Sequence, residues 1–137
     1  EPKGAFNGGY AGLAARLAGA PLSMSVVSTA GPITDFVTDR ARPNAPAVAS
    51  NFNNAGKAVG SIGVLAHPSN ISKDAPWYII NAEDGMRFIC SAVLAPAIRK
   101  LPANGKWDLH YRIIVQSEPF TPASLRTASE AWIARSE

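Results

Sequence analysis

Apolar residues in this chain gather in short runs that alternate with polar ones, and glycine, proline or a turn cluster stops each run. The clearest is Trp107, Leu109, Tyr111, Ile113 and Val115, alternating with Asp108, His110, Arg112 and Gln116 and broken only by Ile114. A repeat of two places alternate side chains on opposite faces of a pleated strand, so this segment predicts a strand with one buried and one wet face. Ala58 to His67 is a continuous apolar run that Pro68 ends, and Trp77 to Asn81 is an aromatic and β-branched run between Pro76 and the turn Glu83-Asp84-Gly85. Leu13–Leu17 and Ser23–Ser28 read as shorter strands, and Met86 to Cys90 and Ala92 to Ile98 as further apolar runs. From Asp39 to Gly56 the composition shifts to Arg, Pro, Asn and Ala, which predicts a long loop with at most a short strand around Val48. Thr121-Pro122 then supplies an N-cap and a proline at the first helical position, and Leu125, Ala128, Trp132 and Ile133 recur at helical spacing. The expectation is an antiparallel β-sandwich with one C-terminal helix over 122–135, because no helices alternate with the strands as a parallel α/β sheet requires.

A length of 137 residues suits one domain. Eleven glycines and eleven prolines supply the turns that many short strands need. The net charge is +3, but the basic residues are scattered, with Arg40/Arg42 and Arg99/Lys100 the close pairs. Phosphate-binding surfaces concentrate such residues on one face, so nucleic acid is not an expected partner. No apolar stretch reaches the roughly 18 to 20 residues that span a bilayer as a helix. Cys90 sits in an apolar run and reads as a small core residue rather than a nucleophile. Gly8, Gly9 and Gly12 lack the preceding strand of a dinucleotide fingerprint and read as positions where the backbone turns or approaches another strand. The chain opens on Glu1, which suggests a piece of a longer protein.

No spacing of His, Cys, Asp or Glu forms a metal motif, no nucleophile elbow is present, and the sequence names no cofactor. Glu83 and Asp84 are adjacent and read as a solvated turn. The segment with most chemical promise is Ala66-His67-Pro68-Ser69-Asn70, followed by Pro76-Trp77-Tyr78. It places an imidazole and an amide at a strand end with two aromatic rings nearby in sequence, a mixture that suits a sugar. The same residue types also read as a strand cap for His67 and a core indole for Trp77. His110, on the wet face of its strand, is an ordinary surface residue on this reading.

Taken in order, Gly8-Gly9-Tyr10-Ala11-Gly12-Leu13, the strand into His67-Pro68-Ser69-Asn70, Pro76-Trp77-Tyr78 and Leu109 to Val115 resemble the bacterial "methane oxygenase PmoA-like" family. The resemblance runs from about residue 6 to residue 135 and covers the C-terminal part of longer family proteins. Members resemble exported β-sandwich proteins of glycan-degrading bacteria rather than the membrane-bound copper monooxygenase subunit. The resemblance implies an extracytoplasmic module that acts on or binds an oligosaccharide. His67 would be its sugar contact or catalytic acid/base, Asn70 a hydrogen-bonding group, and Trp77 with Tyr78 the stacking platform. In the family pattern an Asp precedes the His-Pro pair and a His follows the Pro-Trp pair, whereas this chain has Ala66 and Tyr78. The alternative is a non-catalytic assembly domain that packs against a partner chain or a missing N-terminal part.

Overall fold

The computed structural model describes residues 11–83 and 85–136. These form β1 (Ala14–Leu17), β2 (Ser23–Ser28), β3 (Pro32–Ile33), β4 (Arg40–Ala41), β5 (Ala47–Asn54), β6 (Lys57–Ala66), β7 (Trp77–Asn81), β8 (Arg87–Ser91), β9 (Tyr111–Gln116) and α1 (Pro122–Ile133). A four-stranded sheet runs β1-β8-β7-β4 and a five-stranded sheet runs β3-β2-β5-β6-β9, with every pairing antiparallel. The chain is therefore mainly β, sandwich-like, with a single C-terminal helix among the described residues, as the alternating runs predict.

The core between the sheets is built from alternate residues of facing strands, among them Val26, Val48, Val64, Trp77, Ile79 and Ile89. Burying each such large side chain stabilises the fold by roughly 1.5–3 kcal/mol relative to leaving it in water. The opposite face of the five-stranded sheet is also covered: Val27, Ala47, Ala49 and Leu65 meet Phe120 and Leu125 at the start of α1. Strands β5 and β6 are thus buried on both faces, which explains why β6 reads as a continuous apolar run.

The helix start follows its sequence signals closely. Thr121 Oγ1 accepts from the Ser124 N–H at 3.1 Å, and Ser124 Oγ accepts from the Thr121 N–H at 3.0 Å, a reciprocal capping box ahead of Pro122. Phe120 before the cap and Leu125 one turn later share one apolar cluster and staple the entry of the helix. Leu125, Ala128, Ser129 and Trp132 form its inward face. The helix ends at Ile133, two residues before the expected boundary, a difference within the fraying of helix ends.

Several expectations need correction. The segment 39–56 is not a long loop: it holds β4 and the eight-residue β5, which is central in its sheet. Asn51, which argued against a strand, faces the chain entering α1, where its side chain donates to Phe120 O at 2.9 Å and accepts from Phe120 N–H at 2.8 Å. A tertiary partner thereby overrides the poor strand propensity of asparagine. Strand β9 begins at Tyr111 rather than Trp107, because β6 stops at Ala66 and Pro68 has no N–H to extend the ladder. Its inward face is not sealed either: Ile113 is 52% and Val115 73% exposed, since β9 is an edge strand. Ala92 to Ile98 forms no strand.

Gly12 approaches β8 closely, since a Cβ there would lie 2.5 Å from Ser91 O, as the close-approach reading of the glycines requires; Gly8 and Gly9 lie outside the described residues. Cys90 is 1% exposed on the outer face of the four-stranded sheet, packed with Tyr78, Ile80 and Ala92. Burial pushes its thiol above the ordinary value, and burial likewise pushes up the Tyr111 phenol, whose hydroxyl lies 2.9 Å from Ser91 Oγ.

Two outcomes follow from these contacts. Asn51→Ala leaves both backbone groups of Phe120 without their partner, and urea unfolding should show a loss of about 2–3 kcal/mol; a loss under about 0.5 kcal/mol contradicts the assignment. At alkaline pH the unfolded chain releases the Cys90 proton before the folded chain does, so unfolding lowers the number of bound protons and stability falls as pH rises. Stability measured upward from about pH 8 should decline more steeply for the wild type than for Cys90→Ala, and parallel curves would refute this.

Candidate functional site

Strand registers define the two ends of the sandwich. Ser28 pairs with Val48 and Ala47 with Leu65, so the end of β2, the start of β5 and the end of β6 lie together. His67 follows β6 at this end. Its N–H donates to His110 O at 3.0 Å, continuing the pairing of β6 with the chain before β9 for one residue. The turn that Pro68 imposes then folds Ser69 back onto the imidazole: the Ser69 N–H donates to His67 Nδ1 at 3.2 Å and Ser69 Oγ lies 2.7 Å from the same atom. Because a backbone N–H can only donate, Nδ1 is an acceptor and the proton of the neutral ring sits on Nε2. Nε2 is buried and has no hydrogen-bond partner among the described residues.

The other expected residues do not surround His67 in the way that the sequence suggested. Asn70 is 4% exposed and takes the place of a missing strand residue, its side chain donating to His110 O at 3.0 Å and accepting from His110 N–H at 2.7 Å. It therefore holds His110 in place and has a satisfied amide. Trp77 is 1% exposed in the inter-sheet core, and its Nε1–H donates to Ala45 O at 2.8 Å. Tyr78 points to the opposite face of the same strand, is 3% exposed, and has the Arg42 guanidinium 4.5 Å from its ring centre while its hydroxyl accepts from Arg40 Nε at 2.9 Å. Adjacent residues on a strand cannot share one face, and both rings are committed to packing. Neither is placed to stack on a ligand.

The aromatic surface beside His67 comes instead from α1. Trp132 lies edge-to-face with His67 at 5.3 Å between ring centroids, and the His110 ring lies 6.0 Å from that of His67. His67, Ser69, His110, Trp132 and Ser136 line a pocket of about 320 Å³. Three chain regions far apart in sequence thus bring two imidazoles, two hydroxyls and an indole to one concavity. Sequence reasoning missed Trp132 because its helical spacing marks it as a core residue, and missed His110 because alternation marks it as ordinary surface. The local signal that was available is the position of Trp132 in the last turn of an amphipathic helix.

Among the described residues no group of three or more His, Cys, Asp or Glu side chains is placed to hold a metal ion. No helix of the described chain is long and apolar enough to cross a membrane. No family model, no curated protein and no solved structure matches the chain.

Proposed function

We propose that this chain is a carbohydrate-binding or carbohydrate-active module of a bacterial glycan-degradation protein, working outside the cytoplasm, with its ligand seated in the His67–Trp132 pocket. The observation that carries this reading is the convergence of His67, Ser69, His110, Trp132 and Ser136 around about 320 Å³ of open volume. The exposed Ser69, Ser136 and His110 side chains offer donors and acceptors to sugar hydroxyls, the His67 ring forms part of the wall, and an indole offers an apolar face to sugar C–H groups. The resemblance to the PmoA-like family supports the same ligand class, with His67, Asn70 and Trp77 at matching positions and distinct parts: His67 contacts the ligand, Asn70 positions His110, and Trp77 packs in the core. Trp132 replaces Trp77 and Tyr78 as the stacking group.

A second reading, an assembly domain that packs against a partner chain or an N-terminal part, is favoured by one feature. Ile113 and Val115 are exposed on β9, an edge strand whose outer side is unpaired among the described residues. Unprotected apolar edges invite another strand.

Thermal unfolding across a panel of mono- and oligosaccharides, with and without chelator, tests the first reading. A ligand at a hundredfold excess over its Kd should stabilise the chain by about 2.7 kcal/mol. His67→Ala and Trp132→Ala should each abolish that gain, while His67→Ala lowers the ligand-free stability by only about 1 kcal/mol. No gain with any sugar, together with self-association in sedimentation that Val115→Lys removes, would transfer the case to the second reading.

A further inference from the structure

A different constellation occupies the opposite end of the sandwich, where Ser23 pairs with Asn53 at the start of β2 and Asn81 pairs with Arg87 between β7 and β8. Arg87 is 4% exposed, so a full positive charge lies inside the fold. Its Nη1 donates to the carbonyls of Ala18, at 3.2 Å, and of Leu22. Among the described residues Nε is buried with no acceptor, and no hydrogen bond runs from Nη2. The one ion pair among the described residues is Lys106–Asp108, at the surface. A buried guanidinium whose Nε/Nη2 edge meets no carboxylate of the described residues is costly, because two neutral carbonyls replace only part of its hydration. That edge is also the one suited to paired contact with an oxyanion.

Arg87 lines a pocket of about 490 Å³ together with Ser23, Met24, Phe36, Asp39, Asn81 and Glu83. The charges in it are sorted by depth. Arg87 is buried, whereas Asp39 and Glu83 are exposed and carry the negative charge outward. Asp39 is held in place by a two-residue hairpin turn: Val37 and Arg40 exchange backbone hydrogen bonds at 2.8 and 3.1 Å, Thr38 and Asp39 both adopt left-handed φ of 48° and 63°, and Asp39 O accepts from Asn81 N–H at 2.9 Å. Met24 and Phe36 add an apolar wall.

We propose that this pocket is a second binding site, and that its ligand is a small zwitterion bearing an apolar substituent, of the α-amino-acid class. The carboxylate enters toward Arg87 through Nη2 and supplies the missing counter-charge. The ammonium faces Asp39 and Glu83 at the mouth, and the substituent lies against Met24 and Phe36. A simple anion would meet two carboxylates on its way in, and a simple cation would meet a buried guanidinium. Only a ligand with both charges matches the gradient.

Titration of the isotope-labelled chain by NMR with L-leucine, 4-methylpentanoate, 3-methylbutylamine and glucose tests this proposal. Leucine should give saturable shifts at the Arg87 side-chain Nε–H and at the amides of Asp39 and Glu83. Each half-ligand should bind at least about tenfold more weakly, the equivalent of losing one charge-assisted contact. The double variant Asp39→Asn/Glu83→Gln changes exposed side chains only and should reduce leucine to the affinity of 4-methylpentanoate; Arg87→Lys, with fold retention checked in its own spectrum, should weaken leucine and 4-methylpentanoate alike. Absence of leucine shifts up to about 10 mM, equal binding of leucine and 4-methylpentanoate, or shifts at Arg87 from glucose without leucine would each overturn the proposal.

Discussion

The seating of Phe120 and Leu125 on the outer face of β5 and β6 is the contact on which the rest of the molecule depends. That face carries Ala47, Ala49, Gly63 and Leu65, a shallow surface on which large side chains from another element can settle. A Cβ at Gly63 would lie 3.0 Å from two carbons of the Phe120 ring, so the absence of a side chain is what admits the ring. Once Phe120 is seated, Asn51 clamps its backbone, Thr121 and Ser124 cap the helix, and the axis of α1 is set. Ser61 Oγ adds a further tie to Glu118 O in the segment leading in.

This docking converts a two-layer sandwich into three layers over its central strands. It also carries Trp132, seven residues beyond Leu125, to the sheet end where β6 gives way to His67. At that end the backbone cannot continue as a ladder past Pro68, and Asn70 imitates a strand neighbour by bonding both backbone groups of His110. A stability device, the packed helix, and a termination device, the proline with its asparagine, therefore meet at one pocket. Among the described residues the other end of the sandwich has no helix, carrying Asp39 and Glu83 on short turns and Arg87 at the start of β8, and the two ends consequently differ in chemistry: imidazoles, hydroxyls and an indole at one, a buried cation with outlying carboxylates at the other.

How far the sequence revealed this depends on where each residue finds its partner. The helix was legible because its cap, its proline and its apolar spacing are all local. Strands β2, β6 and β7 were legible because their alternation or continuous apolarity reports burial directly. Strand β5 was not, since Asn51 earns its place only through Phe120, 69 positions away. The same distance problem governs the site. His67 was singled out correctly as a residue at a strand end, but its neighbours in sequence, Trp77 and Tyr78, face the core and the far side of the other sheet. Its spatial neighbours, His110 and Trp132, bear no sequence spacing that ties them to it. Arg87 carried no signal at all, because a lone arginine at a strand start is ordinary until its burial is known.

Native-state amide hydrogen exchange tests most directly whether the helix is an integral layer rather than an appendage. If α1 is docked as described, amides of Leu125–Ser129 should open only with those of β5 and β6, at a free energy close to that of global unfolding, while β1 and β9 exchange earlier as edge strands. Exchange of the α1 amides at a free energy several kcal/mol below that of β5 and β6 would contradict the account, because the helix would then open while the sheet stayed closed.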